Sequence, residues 1–554
     1  MASAKQITQN IVLRDDAVVL KGVTVEGRSQ IVKDDNVTYI PTKRQVDGAN
    51  SGVTLLYNMM IPKLDVNRIT GEVKSKDNST VSFYIDGRKT DKAEVDGLRP
   101  KDIAKVEYYD RPSDKFPDES TNKVVNYVKR EYDYGGYVDL QTDTRFLYST
   151  GSYKAQASFD HKKMNYTIVA GTKLSKDTEV GDESTENYAL SDGFMKNTIP
   201  SDKLLKDRTY YGQFRSTYKS GATRIFFQAG LNWNEIPDNR ATSTVSYTPG
   251  LYPQSTSLET QSSRNISPNI KAYYYTKSGS STMWGSLSYT YGKNKYNRSY
   301  VEGSDDPILS DTHERTHYID ARLSYNQNLK HNNSFGVFVW GMYNKSNTEY
   351  RASTSPNQKI ESFGFQLLPS YSQTIAKKLS IYLQPGFYID KYKLNESKSI
   401  TKILPRPIIS LNYNINETSN LSLFTAIGTN EPAMSIYNAT EQQVNQYEVM
   451  RGNPDLSIIK IYMGNLSYNL TLKNFSMSVY ANYNGYSDIT TAKYNVENGM
   501  MVHTYMTDGE FHDFMFGISP SVFLFNKSLQ LKGGVKYSHQ IIKNLYSTNN
   551  HRFS

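Results

Sequence analysis

Ile225-Phe226-Phe227-Gln228-Ala229-Gly230-Leu231-Asn232-Trp233-Asn234 carries a two-residue period. Ile225, Phe227, Ala229, Leu231 and Trp233 take one parity; Gln228, Gly230, Asn232 and Asn234 take most of the other. Successive side chains of a strand leave on opposite faces, so the stretch is a strand with one apolar and one mainly polar face. The period recurs. Tyr153, Ala155, Ala157 and Phe159 alternate with Lys154, Gln156, Ser158 and Asp160. Met283, Leu287, Tyr289 and Tyr291 alternate with Thr282, Ser286, Ser288 and Thr290. Phe475, Met477, Val479, Ala481 and Tyr483 alternate with Ser476, Ser478, Asn482 and Asn484. Three large aromatics, Phe226, Trp284 and Tyr480, interrupt the polar faces.

The connections carry a second pattern. Short turns are predicted near His161–Met164, Lys219–Ala222, Lys277–Ser281, Asn328–Asn333, Ile375–Lys378, Asn416–Ser419, Leu472–Asn474 and Phe525–Ser528. Long polar stretches lie between them, at Leu174–Asp207, Asn234–Leu258, Asn294–Thr316 and Thr429–Leu456, and read as loops. Tight turns at one end and long connections at the other are the habit of transmembrane β-barrels. One strand near Tyr134–Leu147 and a hairpin across each turn bring the expected count to seventeen by about Ser538. The final His-Arg-Phe-Ser reads as part of a further loop, so the barrel is expected to lack its last strands.

Composition agrees. The chain has 554 residues, 64 basic against 55 acidic, and only 37% hydrophobic residues. Its mean hydropathy is -0.62. No stretch approaches the roughly 18–20 apolar residues of a membrane-spanning helix, whereas barrel strands spend half their positions on polar residues. The 45 tyrosines suit aromatic girdles. There is no cysteine, which excludes disulfides, thiolate metal sites and thiol nucleophiles. Met-Ala-Ser-Ala-Lys-Gln opens the chain without the apolar core of a signal peptide. The charge of +9 is spread along the chain and forms no basic module, so no nucleic-acid partner is expected.

One catalytic pattern is present. His313-Glu314-Arg315-Thr316-His317 spells H-E-x-x-H, which on a helix sets two imidazoles on one face to hold zinc. Tyr318, Asp320, Arg322 and Ser324 alternate with Ile319, Ala321, Leu323 and Tyr325 directly after it, which is strand patterning. On a strand the two histidines stand roughly 13 Å apart, too far for one ion. No nucleophile elbow, Walker loop, dinucleotide fingerprint or EF-hand loop occurs. Neither an enzyme activity nor a cofactor or metal is expected.

Before Arg130 the chain differs. Val53-Thr54-Leu55-Leu56, Val81–Ile85 and Val124–Val128 are short apolar runs between Gly and Pro punctuation, expected as short strands with one helix in a compact mixed domain. Within it, Val81-Ser82-Phe83-Tyr84-Ile85-Asp86-Gly87-Arg88 resembles the plug strand and "IDGR" turn of TonB-dependent outer-membrane receptors. Ile103 to Ser113 resembles that family's I-x-x-I-E-V-x-x-x-P-S motif, with Val106, Glu107, Pro112 and Ser113 at its marked positions. Lys123–Arg130 resembles the final plug strand, although Ser120-Thr121-Asn122-Lys123 replaces the usual glycines. In the barrel, Glu431-Pro432 followed by Gly452-Asn453-Pro454-Asp455-Leu456 resembles the "P … GNPxL" pattern.

The resemblance implies a mostly β protein: a large antiparallel transmembrane β-barrel preceded by a small mixed α/β plug domain. It divides the chain into residues 1–17, the tail of a preceding domain, residues 18–130, plug, and residues 131–554, barrel. Val18–Glu26, with Val19, Leu20, Val23, Thr24 and Val25, is the Ton-box candidate. Such an extended β-prone peptide suits strand addition to a partner. The implied location is the outer membrane of a Gram-negative bacterium. The implied function is Ton-coupled import of a scarce, unidentified small solute, with an adhesion or assembly platform as the alternative. A periplasmic TonB-type coupling protein, outer-membrane lipid and a surface lipoprotein are the implied partners.

Overall fold

A computed structural model describes residues 30–553, except 33–35, 69, 76–79, 91, 111–115, 117–122, 131, 146–149, 180, 182, 189, 191–192, 249–252, 353–356, 398, 433–435, 438–439, 526–528 and 545–547. The Ton-box candidate residues Val19, Leu20, Val23, Thr24 and Val25 lie outside the described residues, as do Pro112 and Ser113.

The first domain is built on a mixed sheet. Its strands are β1 (Gln30–Val32), β2 (Val37–Tyr39), β5 (Val81–Ile85), β6 (Arg88–Thr90), β7 (Ile103–Tyr109) and β8 (Lys123–Lys129). A separate ribbon pairs β3 (Leu64–Val66) with β4 (Val73–Ser75). The sheet order is β1-β2-β7-β8-β5-β6, with β5 parallel to β8 and the other pairs antiparallel. Three short helices cover it: α1 (Lys43–Asp47), α2 (Gly52–Met59) and α3 (Lys92–Asp96).

The run Val53–Leu56 is the helix of the three apolar runs rather than a strand. Ser51 caps it, its hydroxyl accepting the Thr54 N–H at 3.1 Å. Val53, Leu56 and Met59 then fall on one buried stripe with Leu55 beside it. That stripe packs with Ile85, Ile103, Val106, Val125 and Tyr127 into the core of the domain. Gly52 is required where α2 meets α3, because a Cβ there would lie 2.5 Å from the Val95 carbonyl oxygen.

From Tyr134 onward the strands form a closed barrel. Neighbours in sequence pair antiparallel, as in Thr223–Thr248 against Ser255–Ser278, where Phe227 faces Ala272. The turns fall where the alternation breaks, with strands ending and restarting at 161/164, 220/223, 278/281, 328/333, 375/379, 414/419, 471/475 and 524/529. Pro385-Gly386 and Arg406-Pro407 each interrupt one strand, proline having no N–H for the ladder.

Two expectations are corrected. The polar stretches read as loops are largely strand: Phe194–Ser220, Thr223–Thr248, Ser281–Glu302 and Ile308–Asn328 run on past the apolar positions. Beyond lipid, both faces of a hairpin can be polar while the ladder still pairs its backbone. The chain's end is not a loop either. Thr548–Phe553 pairs antiparallel with Val535–Lys543, one strand beyond the expected seventeen, so the number of staves among the described residues is even.

Outward positions carry a belt of exposed apolar side chains: Ile168, Ile225, Phe227, Leu231, Ile270, Leu287 and Leu323 among them. A continuous belt of this kind is buried only by lipid. No helix among the described residues is long and apolar enough to cross a membrane.

Candidate functional site at the plug–wall seam

The site begins at a two-residue turn. Ile85 pairs with Arg88, leaving Asp86 at φ 52° and Gly87 at φ 83°. Two successive positive φ values define the type I′ turn, which matches the twist of the flanking strands and favours Asp-Gly. The geometry explains the residue types before any function does.

The turn is then wired into the domain. Asp86 Oδ1 accepts the Lys129 N–H at 3.0 Å, and Asn126 Oδ1 accepts the Gly87 N–H at 2.9 Å. Asn126 Nδ2 in turn donates to Glu107 Oε2 at 2.8 Å, an oxygen that also accepts from the Tyr109 hydroxyl at 3.2 Å. Lys105 Nζ closes the set on Glu107 Oε1 at 2.8 Å. Glu107 is only 6% exposed, and these partners satisfy it as a buried carboxylate must be. Asn126 thereby joins Asp86-Gly87 to Glu107, while Ile85 and Val106 serve the core beneath them.

The same turn meets the barrel wall. Lys219 Nζ lies 2.7 Å from Asp86 Oδ2, Arg224 donates to the Asp86 carbonyl, and the Tyr273 hydroxyl donates to the Gly87 carbonyl at 3.1 Å. The guanidinium of Arg88 lies 4.2 Å over the Phe226 ring and pairs with Glu94 on α3. Arg215 of the wall approaches Glu94 at 3.3 Å. Burial raises the Glu94 carboxyl, but Arg88 and Arg215 outweigh it and hold the group at about 2. Farther round, Arg99 lies 3.9 Å over the Tyr137 ring and Lys532 reaches Asp65 at 3.3 Å. Contacts to such widely separated strands place the small domain inside the barrel, as a plug. A cavity of 490 Å³ along this seam is lined by charged groups of both parts, including Asp86, Lys129, Lys219 and Arg224.

The barrel motif lies elsewhere. Asn453 donates from Nδ2 to the Tyr505 carbonyl at 2.8 Å, and its Oδ1 accepts the Asp455 N–H at 2.9 Å. Leu456 is 2% exposed against Ile360, Tyr392 and Tyr437. Gly452, Asn453, Pro454 and Leu456 thus shape the re-entry of a long connection into the strand Ile459–Thr471. The same connection carries a hairpin, Glu441–Asn445 and Glu448–Arg451, whose second strand pairs parallel with Met501–His503. From there Tyr447 reaches Phe194, Tyr247 and Tyr188, with ring centroids at 4.9, 5.7 and 6.0 Å. Asn445 donates to the Tyr188 hydroxyl at 2.9 Å, and Arg298 to the Val444 carbonyl at 3.0 Å. This hairpin ties the second half of the barrel to the first at the long-connection end.

His313-Glu314-Arg315-Thr316-His317 lies within the strand Ile308–Asn328. His317 Nδ1 is 2.9 Å from the Tyr289 hydroxyl, and Glu314 accepts from Asn294 and Ser346, each at 2.6 Å. No group of three metal-ligating side chains occurs among the described residues.

Sequence reasoning missed the wall side of the seam: Arg215, Lys219, Arg224, Lys271 and Tyr273. A usable signal did exist in the large aromatics on the polar faces. Phe226 and Trp284 are 3% and 9% exposed and pack with Tyr273, Phe338 and Leu368 on the lumen side.

No family model matches this sequence, and no curated protein matches it. Solved structures do. The copper transporter OprC aligns with a TM-score of 0.56 and 10% identity over 94% of this chain and 79% of its own. A mutant of the ferric enterobactin receptor PfeA of Pseudomonas aeruginosa gives 0.54 and 10% over 92% and 80%. The siderophore receptor PirA of the same organism gives 0.50 and 12% over 93% and 91%. The fold is the plug-and-barrel fold of TonB-dependent outer-membrane receptors.

Proposed function

We propose that this chain, with the fold of the plugged outer-membrane receptors, imports a scarce small solute across the outer membrane of a Gram-negative bacterium. A periplasmic TonB-type protein would engage Val18–Glu26 and supply the pull. The observation that carries this reading is the chemistry of the seam. The plug is held by ion pairs, hydrogen bonds and cation–π contacts beside a cavity of 490 Å³, with little shared apolar core. Polar contacts exchange with water at small net cost, so a pulled plug can shift while the barrel ladder stays intact. The printed names of the similar structures, a copper transporter and receptors for siderophores, support import as the general role.

The barrel wall, the plug's upper surface and the long connections would capture the solute, and the chain itself would make or break no bond. Deleting Val18–Glu26 tests this directly. The expected result is lost uptake with solute binding retained. Unchanged uptake would remove the coupling, and surface adhesion or complex formation that survives the deletion would favour the platform role instead.

A further inference from the structure

Beside the Asp86-Gly87 turn, a second cavity of 250 Å³ separates the plug from the wall. Arg88 and Lys89 approach it from the plug, and Lys271, Trp284, Asp320 and Arg322 from the wall. Four cations therefore face one carboxylate.

The cations are not equally engaged. Arg88 is paired with Glu94, and Arg322 with Asp320 at 2.9 Å. Asp320 also accepts the Trp340 indole N–H at 2.7 Å, so its oxygens are taken. Lys271 makes no hydrogen bond and no ion pair with the described residues. It faces the lumen, since its neighbour Ile270 is 50% exposed on the outer wall. Trp284, which lines the same cavity, is 9% exposed. A cation with no hydrogen bond or ion pair of its own therefore lines a cation-rich space whose one carboxylate is already shared with Arg322 and Trp340. A cation held in such a space is costly to leave unmet, and an oxyanion meets it with charge-assisted hydrogen bonds.

We propose that this cavity is an oxyanion site taking a carboxylate or phosphate group, with Lys271 as its ion partner and the hydroxyls of Ser288, its cross-strand neighbour, and Ser286 as neutral donors. Resting on the import reading, the site assigns an anionic group to the solute and gives that solute a station at the seam.

The test uses the intact purified protein in detergent micelles, with tryptophan emission as the readout. The chain has 3 tryptophans, so Trp284→Phe identifies the contribution of Trp284. Inorganic phosphate and citrate are titrated against sodium chloride at matched ionic strength. The expected result is a saturable response to phosphate or to citrate, weakened about tenfold or more in Lys271→Gln and retained in Lys271→Arg. A response to phosphate alone identifies an inorganic oxyanion site, and one to citrate a carboxylate site. Superimposable curves for the wild type and Lys271→Gln, or an equal response to chloride, would overturn the proposal. No coupling protein or energised membrane is involved, so failure here leaves the import reading intact, and failure of uptake in cells leaves this site intact.

Discussion

The carboxylate of Asp86, at the tip of a plug hairpin, meets the ammonium of Lys219, at the end of a barrel strand, at 2.7 Å. The two residues are 133 positions apart, and their side chains are 11% and 22% exposed. Asp86→Asn keeps an acceptor for the Lys129 N–H and tolerates the positive φ, so it removes little but the ion pair. Lys219→Met removes the other half. Each single substitution should weaken plug seating by about 1–2 kcal/mol, with a coupling of about 1 kcal/mol between them. Hydrogen exchange of the β6 amides as a function of urea reads the effect. Additive effects would show that the pair contributes nothing to seating.

Glu94 gives the seam a pH dependence of defined sign. Its folded value of about 2 lies below its ordinary value of 4.5. Its contribution is therefore complete above about 4.5 and is lost as the pH falls through about 2. The span corresponds to a stabilisation on the order of 3 kcal/mol. Glu94→Gln should expose β6 to exchange at pH 6 and become indistinguishable from the wild type as the pH approaches 2. A constant difference across that window would contradict the assignment.

Gly52→Ala tests the packing of the plug core. The added Cβ would lie 2.5 Å from the Val95 carbonyl oxygen, beside the bond from the Tyr127 hydroxyl to the Gly52 carbonyl at 3.1 Å. Overpacking of this kind costs about 1–3 kcal/mol. The plug should become protease-sensitive while the barrel keeps its heat-resistant mobility on gels.

Tyr447→Ala should free the hairpin at the mouth. It deletes three ring contacts that hold Glu441–Arg451 against Tyr188, Phe194 and Tyr247, a loss of about 3 kcal/mol for a packed aromatic. Limited proteolysis should then cut within 441–451, with the barrel unaffected. Continued protection would place the anchorage in the Arg298 and Asn445 hydrogen bonds instead.

The barrel was legible because its rule is local. Alternation reports on each strand by itself, and a turn such as Lys219–Ala222 is marked by the point where alternation stops. The polar extensions, such as Glu235–Thr248, were not legible, because strand in water and loop in water carry the same polar composition. Asp86-Gly87 was legible as a turn for the same local reason. Its partner Lys219 was not, since a lysine on a polar face looks the same whether it meets solvent or a plug. Phe226 and Trp284 were the exceptions, being too large and apolar for a face open to water.

Single cysteines at Val19, Val23 and Val25 of the intact protein in cells probe Ton-coupled import most directly. The chain has no cysteine of its own, so a cross-link to the periplasmic coupling protein is assigned without ambiguity on this side. A disulfide is expected at one or more of these positions, strengthened when the imported solute is present. No cross-link at any of the three, in a protein confirmed in the outer membrane, would contradict Ton-coupled import and leave the plugged barrel as a platform.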